Sequence, residues 1–409
     1  MKEKSNMRKN FLWNIIGSTL CAFNSLFFMI TVTRINGEDV AGLFTFAFST
    51  ACLFYIIGIY SGRTYQVTDN DKLVSDSDYI YSKLITCLIM ILASLVFCII
   101  KNYDISKSII IFSLTIFKVL EAFSEGVYAI IQKHDQLYKV GKSLFVKAVI
   151  GLIIFIIIDL LTKKIFFSVL GVIVINLLVI IFYDFKNLRL VDFKIKKFDK
   201  LALKTILVGG FYTFAFTILT QYVINASRYS IDNFLADKYQ TIFGIIIMPS
   251  TLIALLAQFV IQPYLTKLKD SLEISKKEFN RVTIKLSLSL FIMGIICIIV
   301  AYFLGIPVLE FVYNIKLSDY LLELLMIILG ATLYGITVIL SSSLIIIRNT
   351  LSQLIVFLIA TIFNLVISDI LVKKYLVFGA SSTYLLTMLL LLVLYIIIYI
   401  VGLKKYRRD

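Results

Sequence analysis

Charge is what this chain has least of. Only 16% of its 409 residues are Asp, Glu, Lys or Arg, while 60% are apolar and the mean hydropathy is +0.96. Soluble domains carry about 25% charged residues, so a soluble globule is excluded. Histidine is nearly missing: His134 is the one copy, with no paired base or metal-ligand partner in the surrounding sequence. The five cysteines, Cys21, Cys52, Cys87, Cys98 and Cys297, fall inside apolar runs and show no Cys-x-x-Cys or other ligand spacing. That pattern argues against a disulfide framework and against a metal site, and no cofactor is expected. Also missing is the roughly ten-residue alternation of polarity that marks an outer-membrane barrel.

What the sequence does have is run after run of about 20 apolar residues, the length a transmembrane helix needs. The runs lie near 10–33, 40–62, 84–100, 108–132, 143–161 and 165–183, and again near 207–231, 239–263, 286–304, 321–346, 350–371 and 376–402. The expected fold is therefore an all-α integral membrane protein of about twelve spans. The first run, from Phe11 to about Val32, follows Lys2, Lys4, Arg8 and Lys9 and is too long for a signal peptide, so it is read as a retained span. An even number of spans puts both termini on one side. Lys and Arg are roughly threefold more numerous in the gaps on that side, which places the termini in the cytoplasm. The net charge of +15 is thus explained by topology rather than by nucleic acid. The longest gaps are only about twenty residues, too short to fold alone, so function must lie in the membrane. The most basic gap, Lys194 to Lys200, is read as a linker between two bundles, with contact to anionic headgroups as the alternative.

Two matches suggest an internal duplication. Asp159-Leu-Leu-Thr-Lys163-Lys164 and Asp369-Ile-Leu-Val-Lys373-Lys374 share the pattern Asp-x-Leu-x-Lys-Lys, about half a chain length apart. Ala41-Gly42-Leu43-Phe44 and Phe243-Gly244-Ile245-Ile246 are separated by a similar distance. They divide the chain into an N-terminal six-helix lobe, 1–195, and a C-terminal six-helix lobe, 196–409. Both lobes enter and leave on the same side, as parallel repeats do, and a cleft between them near the midplane is expected.

Polar residues inside the spans are costly and need a reason. Lys118, Glu121, Glu125, Tyr128 and Gln132 follow steps of three and four and share one face of the fourth span. Thr217, Gln221, Asn225, Arg228 and Asp232 do the same in the seventh. Thr251, Gln258 and Gln262 add to the eighth span, and Gln353, Asn364 and Ser368 to the eleventh. Two readings stand for Lys118, Glu121 and Glu125. In one they form an internal ion-pair cluster. In the other, Lys118 and Lys147 offer positive charge to an anionic substrate while Glu121 or Glu125 senses a proton or cation. Lys147 is equally explained by snorkelling to the interface. Arg34 reads as an interfacial anchor or a site residue, and Arg228 and Asp232 as a local pair or as site groups. Pro249 and Pro263 allow a bend in the eighth span. Asp69-Asn70-Asp71 has the form of a metal-binding Asp-x-Asp but reads as a solvated loop.

Three stretches resemble the polysaccharide-exporter branch, the Wzx-type flippases, of the multidrug/oligosaccharidyl-lipid/polysaccharide exporter (MOP) superfamily. The opening Asn10-Phe-Leu-Trp-Asn14-Ile-Ile-Gly17 and Thr33-Arg34-Ile-Asn-Gly37-Glu-Asp-Val-Ala-Gly42-Leu-Phe is similar to the family's first hairpin. Ser227-Arg228-Tyr-Ser-Ile-Asp232, Ile242-Phe243-Gly244 and Pro263 resemble the start of its second lobe. Asn364 and Phe378-Gly379-Ala380 resemble its last interhelical turn. The resemblance implies a MATE-like, V-shaped pair of pseudo-symmetric six-helix bundles in the bacterial cytoplasmic membrane. It implies alternating access by which an undecaprenyl-diphosphate-linked oligosaccharide passes from the inner to the outer leaflet for capsule, O-antigen or wall assembly. The partners implied are that lipid-linked oligosaccharide, membrane lipids, and polysaccharide polymerase and chain-length machinery. Arg34, Lys118, Arg228, Gln221, Asn225 and Lys147 are the expected substrate-binding residues, and Glu121, Glu125 and Asp232 the expected coupling residues. The competing readings are a MATE-type small-molecule antiporter with an acidic pocket and a membrane polysaccharide polymerase. The latter is disfavoured by the short outer gaps.

Overall fold

The computed structural model describes residues 2–68, 74–191, 193–261 and 264–406. Asp69-Asn70-Asp71, Gln262 and Pro263 lie outside them, as does the side chain of Gln258. The described residues are almost wholly helical, because a chain in lipid must satisfy its backbone groups within each segment.

The first six long helices are α1 (Lys2–Asn36), α2 (Glu38–Ile59) with its short continuation α3 (Gly62–Thr68), α4 (Asp76–Ile100), α5 (Ile105–Lys133), α6 (Leu137–Thr162) and α7 (Ile165–Val179). The last runs on through a wide π-type turn at Ile180–Asp184 into α8 (Phe185–Arg189). Then come α9 (Lys200–Phe234), α10 (Asp237–Ile261), the short α11 (Leu265–Ile274) and α12 (Lys276–Val300), which continues through a π-type turn into α13 (Ile306–Tyr313). The chain closes with α14 (Leu321–Ile346) and α15 (Leu351–Lys405). Non-helical backbone at Leu376 divides α15 in two.

Nine helical segments among the described residues are long and apolar enough to cross a membrane. Adding α5 and α10, and dividing α15 at Leu376, gives the expected twelve crossings of a multi-pass membrane protein. α5 is a less apolar span because Lys118, Glu121 and Glu125 crowd its middle. The turns are short and chemically specified. Gly37 alone separates α1 from α2, at φ 85°, a conformation natural to glycine. Asp104 caps α5 by accepting from the backbone N–H groups of Ser106 and Lys107. Asn10 bridges to the α5–α6 turn: its Nδ2 donates to the Asp135 carbonyl and its Oδ1 accepts from the Tyr138 N–H.

The chain divides into two compact units, Met1–Ile218 and Leu219–Asp409. The boundary falls inside α9, after the linker at which the sequence divides the lobes. The reason is local packing of the first part of α9: Tyr60 stacks on Phe214 and donates to the Leu207 carbonyl.

The two Asp-x-Leu-x-Lys-Lys segments occupy matching places. Each aspartate sits near the end of the fifth long helix of its half and accepts from the last turns of the first. Asn36 Nδ2 donates to Asp159 at 2.7 Å, and Ser230 Oγ to Asp369 at 2.6 Å. The Ala41–Phe44 and Phe243–Ile246 segments lie near the starts of α2 and α10, the second helix of each half.

Candidate functional site

The polar face of α5 lies inside the first unit, against a cavity of about 70 Å³. Cys21 and Asn24 from α1, Tyr55 from α2, Glu121, Ser124, Glu125 and Tyr128 from α5, and Lys147 from α6 are among its lining residues. Three ion pairs are built around it.

Lys118 Nζ lies 2.7 Å from Glu121 Oε2, one turn along the same helix, with its ammonium over the rings of Phe48, Tyr55 and Phe117. Aromatic faces attract a cation and help replace the water it has lost. Glu125 pairs with Arg63 Nε at 3.4 Å. Lys147 Nζ meets Asp184 Oδ2 at 2.8 Å, Tyr128 OH at 2.8 Å and Ser124 Oγ at 2.9 Å. Tyr128 OH is itself 2.8 Å from Ser143 Oγ.

The pairs differ in access. Lys147 and Asp184 are 6% and 1% exposed, whereas Lys118 and Glu121 are 13% and 21% exposed, and Arg63 and Glu125 25% and 21%. The first is sealed, and the other two are reachable. The three pairs hold three cations and three carboxylates, and the buried Lys83 is a further cation near Glu125. A ligand that displaces one member of an accessible pair gains the other.

Two of these partners escape the sequence reading. Arg63 falls in what hydropathy marks as a cytoplasmic gap, yet α2 breaks at Tyr60–Ser61 and resumes as α3, which aims Arg63 back at Glu125. Side chains of α4 satisfy the broken end: Thr86 Oγ1 donates to the Gly58 carbonyl at 2.8 Å, and the buried Lys83 donates to that of Ile59. Gln66 of α3 donates to the Gly126 carbonyl of α5. Asp184 lies just past the expected end of the sixth span, and the π-type turn Ile180–Asp184 places it against Lys147. Turns of this kind often mark functional positions in helices. Lys147 is therefore a buried, hydrogen-bonded group rather than a snorkelling one.

No family model matches the chain. It is 24% identical over 392 residues, 92% of its own length and 95% of the other protein's, to a capsular polysaccharide biosynthesis protein, CapF, of Staphylococcus aureus. Among solved structures it resembles an inward-facing multidrug resistance MATE family transporter of the MOP superfamily, with TM-score 0.68 and 12% identity over 97% of this chain and 100% of that one. It resembles the lipid II flippase MurJ in an inward closed conformation with TM-score 0.69 and 16% identity, over 98% and 89% of the two chains. The chain has the fold of these MATE-type transporters.

In this MATE-type fold the remaining sequence-selected residues are distributed rather than gathered. Arg34 is exposed in the last turn of α1. Along α9, Thr217 and Asn225 donate to the carbonyls of Thr213 and Gln221, residues of their own helix. Arg228 is buried, 5.8 Å from the Phe243 ring centroid, and its carbonyl accepts from Gln240. Gln221 and Asp232 are half-buried on the same helix.

The polar residues of the eleventh span are fully engaged as cross-links inside the second unit. Gln353 Oε1 accepts from Ser341 at 2.6 Å and from Tyr395 at 3.3 Å, Asn364 Oδ1 from Thr387 at 3.2 Å, and Ser368 meets Ser230 at 2.7 Å. These bonds hold helices together where no hydrophobic force does so in lipid. Among the substrate and coupling candidates, the structure gathers Lys118, Glu121, Glu125 and Lys147 around one cavity.

Proposed function

We propose that this protein moves an anionic, lipid-linked oligosaccharide across the bacterial cytoplasmic membrane by alternating access, with both termini in the cytoplasm. The natural substrate class is an undecaprenyl-diphosphate-linked repeat unit for a surface polysaccharide. The observation that carries the reading is the pairing around the cavity of the first unit. Each of its glutamates, Glu121 and Glu125, has a resident cation, Lys118 and Arg63. A pocket built for cationic drugs keeps carboxylates available, and a site for diphosphate keeps cations that can change partner. A phosphate oxygen that displaced Glu121 or Glu125 would take up Lys118 or Arg63, and the released carboxylate would be the group that a coupling proton or cation meets. Similarity to the capsular polysaccharide biosynthesis protein agrees with this class of cargo.

Transport of this kind breaks no covalent bond, and the protein's work is to replace the water around diphosphate and sugar. Arg34, Arg228, Gln221 and Asn225 are proposed as further substrate contacts, Lys147 as the residue that holds the cavity wall through Asp184, and Asp232 as a second coupling group. Polymerase and chain-length proteins would receive the product.

The test is deletion in the host, followed by an impermeant sugar-modifying reagent on intact cells. Repeat units that accumulate but stay protected until the membrane is broken support the flippase. Unpolymerised units on the outer face would instead indicate a polymerase, and no accumulation would indicate a small-molecule antiporter.

A further inference from the structure

A second cavity, in the second unit, has no part in the pairing described above. It measures about 530 Å³ and lies where the start of α12 meets the end of α15, lined by Lys276, Lys277, Asn280, Tyr399 and Lys404 above Ile400 and Leu403. Both helices belong to membrane-crossing segments, Lys276–Tyr313 and Leu351–Lys405, so the cavity sits at a membrane–water boundary, on the side of the N-terminus.

Its walls are built. Lys276 Nζ donates to the Lys404 carbonyl at 3.3 Å and joins the two helix ends. Tyr399 is 5% exposed, stacks on Phe279, and donates through its OH to Asn280 Oδ1 at 3.2 Å. With Oδ1 engaged, Asn280 presents its Nδ2 donor to a ligand. The neighbouring carboxylate, Glu278, lies 3.7 Å from Arg281. Three lysines and an amide thus line the cavity beside an apolar floor, in which Ile400 is 47% exposed.

We infer that this cavity binds the phosphate headgroup of an anionic phospholipid from the N-terminal-side leaflet, its acyl chain running over Leu403 and Ile400. Lysines call for an anion, and a basic pocket between helix ends at the membrane surface is the setting in which phospholipid headgroups are recognised. The apolar floor of Ile400 and Leu403 separates a lipid from a soluble phosphate, which would gain nothing from it. The inference is independent of the proposed transport activity.

The full-length protein in a neutral detergent would be titrated with phosphatidylglycerol, phosphatidylcholine or undecaprenyl diphosphate, and the retained lipid counted by native mass spectrometry. Phosphatidylglycerol is expected to bind at least tenfold more tightly than phosphatidylcholine. The triple variant K276Q/K277Q/K404Q should lose roughly a hundredfold of that affinity, at about fivefold per lysine. A control of equal charge change in the exposed linker, K194Q/K196Q/K197Q, should retain it. Equal losses in both variants would mean diffuse surface charge and overturn the site, as would no loss in the first. Loss confined to undecaprenyl diphosphate would also overturn it, assigning the cavity to substrate. If the triple variant does not fold, the single variants K404Q and N280A take its place, each expected to cost several-fold. Unchanged binding in both would refute the proposal.

Discussion

At the residue scale, the three ion pairs separate by burial into one sealed pair and two accessible ones. Lys147 and Asp184 are sealed, so removing one partner strands the other in a medium that cannot solvate it. Lys147→Met is expected to lower stability by about 3–5 kcal/mol, read as a fall in the unfolding midpoint in detergent. K147M/D184L, which removes both charges, should recover most of that loss. The accessible pairs behave in the opposite way. Lys118→Gln and Arg63→Gln should each cost less stability than Lys147→Met, yet lower outer-leaflet appearance of repeat units at least tenfold. A variant with normal transport would remove that cation from the substrate path. Lys118 and Glu121 are legible as partners because they are three residues apart on one helix. Lys147 and Asp184 are not, because no local rule links residues on separate helices.

At the scale of elements, helix approach and helix breaks do the positioning. α1 and α6 cross with their backbones in contact at Gly17 and Gly141: a Cβ on either glycine would meet the backbone of the other helix. Gly141→Val is therefore expected to abolish the folded monomer peak in size-exclusion chromatography, since the obstacle is backbone and cannot rotate away. The break in α2 makes a subtler prediction. Gly62 has φ 74°, so Gly62→Ala costs about 1–2 kcal/mol. By disturbing the entry to α3 it should also displace Arg63 from Glu125. Transport should then fall further than the loss of folded protein explains, and a proportional fall would count against the break as a positioning device. Hydropathy finds such spans but not their breaks, because an averaging window passes over three residues of altered backbone. The turn at Leu376 was legible because Lys373 and Lys374 interrupt the apolar run there. The break at Tyr60 has no such charge before it.

At the scale of the whole molecule, topology is the property to test first. Single cysteines at Lys316, in the exposed α13–α14 connection, and at Lys197, in the exposed α8–α9 linker, should report opposite sides to an impermeant maleimide. The first should label in intact cells and the second only after permeabilisation. The reverse result would invert the assignment of the termini. The membrane class, the twelve crossings, the doubling of the chain and the polar face of α5 were determined by the sequence alone. Each is a one-dimensional signal: apolar residues must accumulate to about twenty before a helix can span the bilayer, and a helical face repeats at fixed steps. Which cation meets which carboxylate, where α2 breaks, and how the first part of α9 joins the first unit were decided only by tertiary structure. Those outcomes depend on side chains far apart in the chain arriving at the same depth in a low-dielectric interior, where a buried charge settles only against a partner.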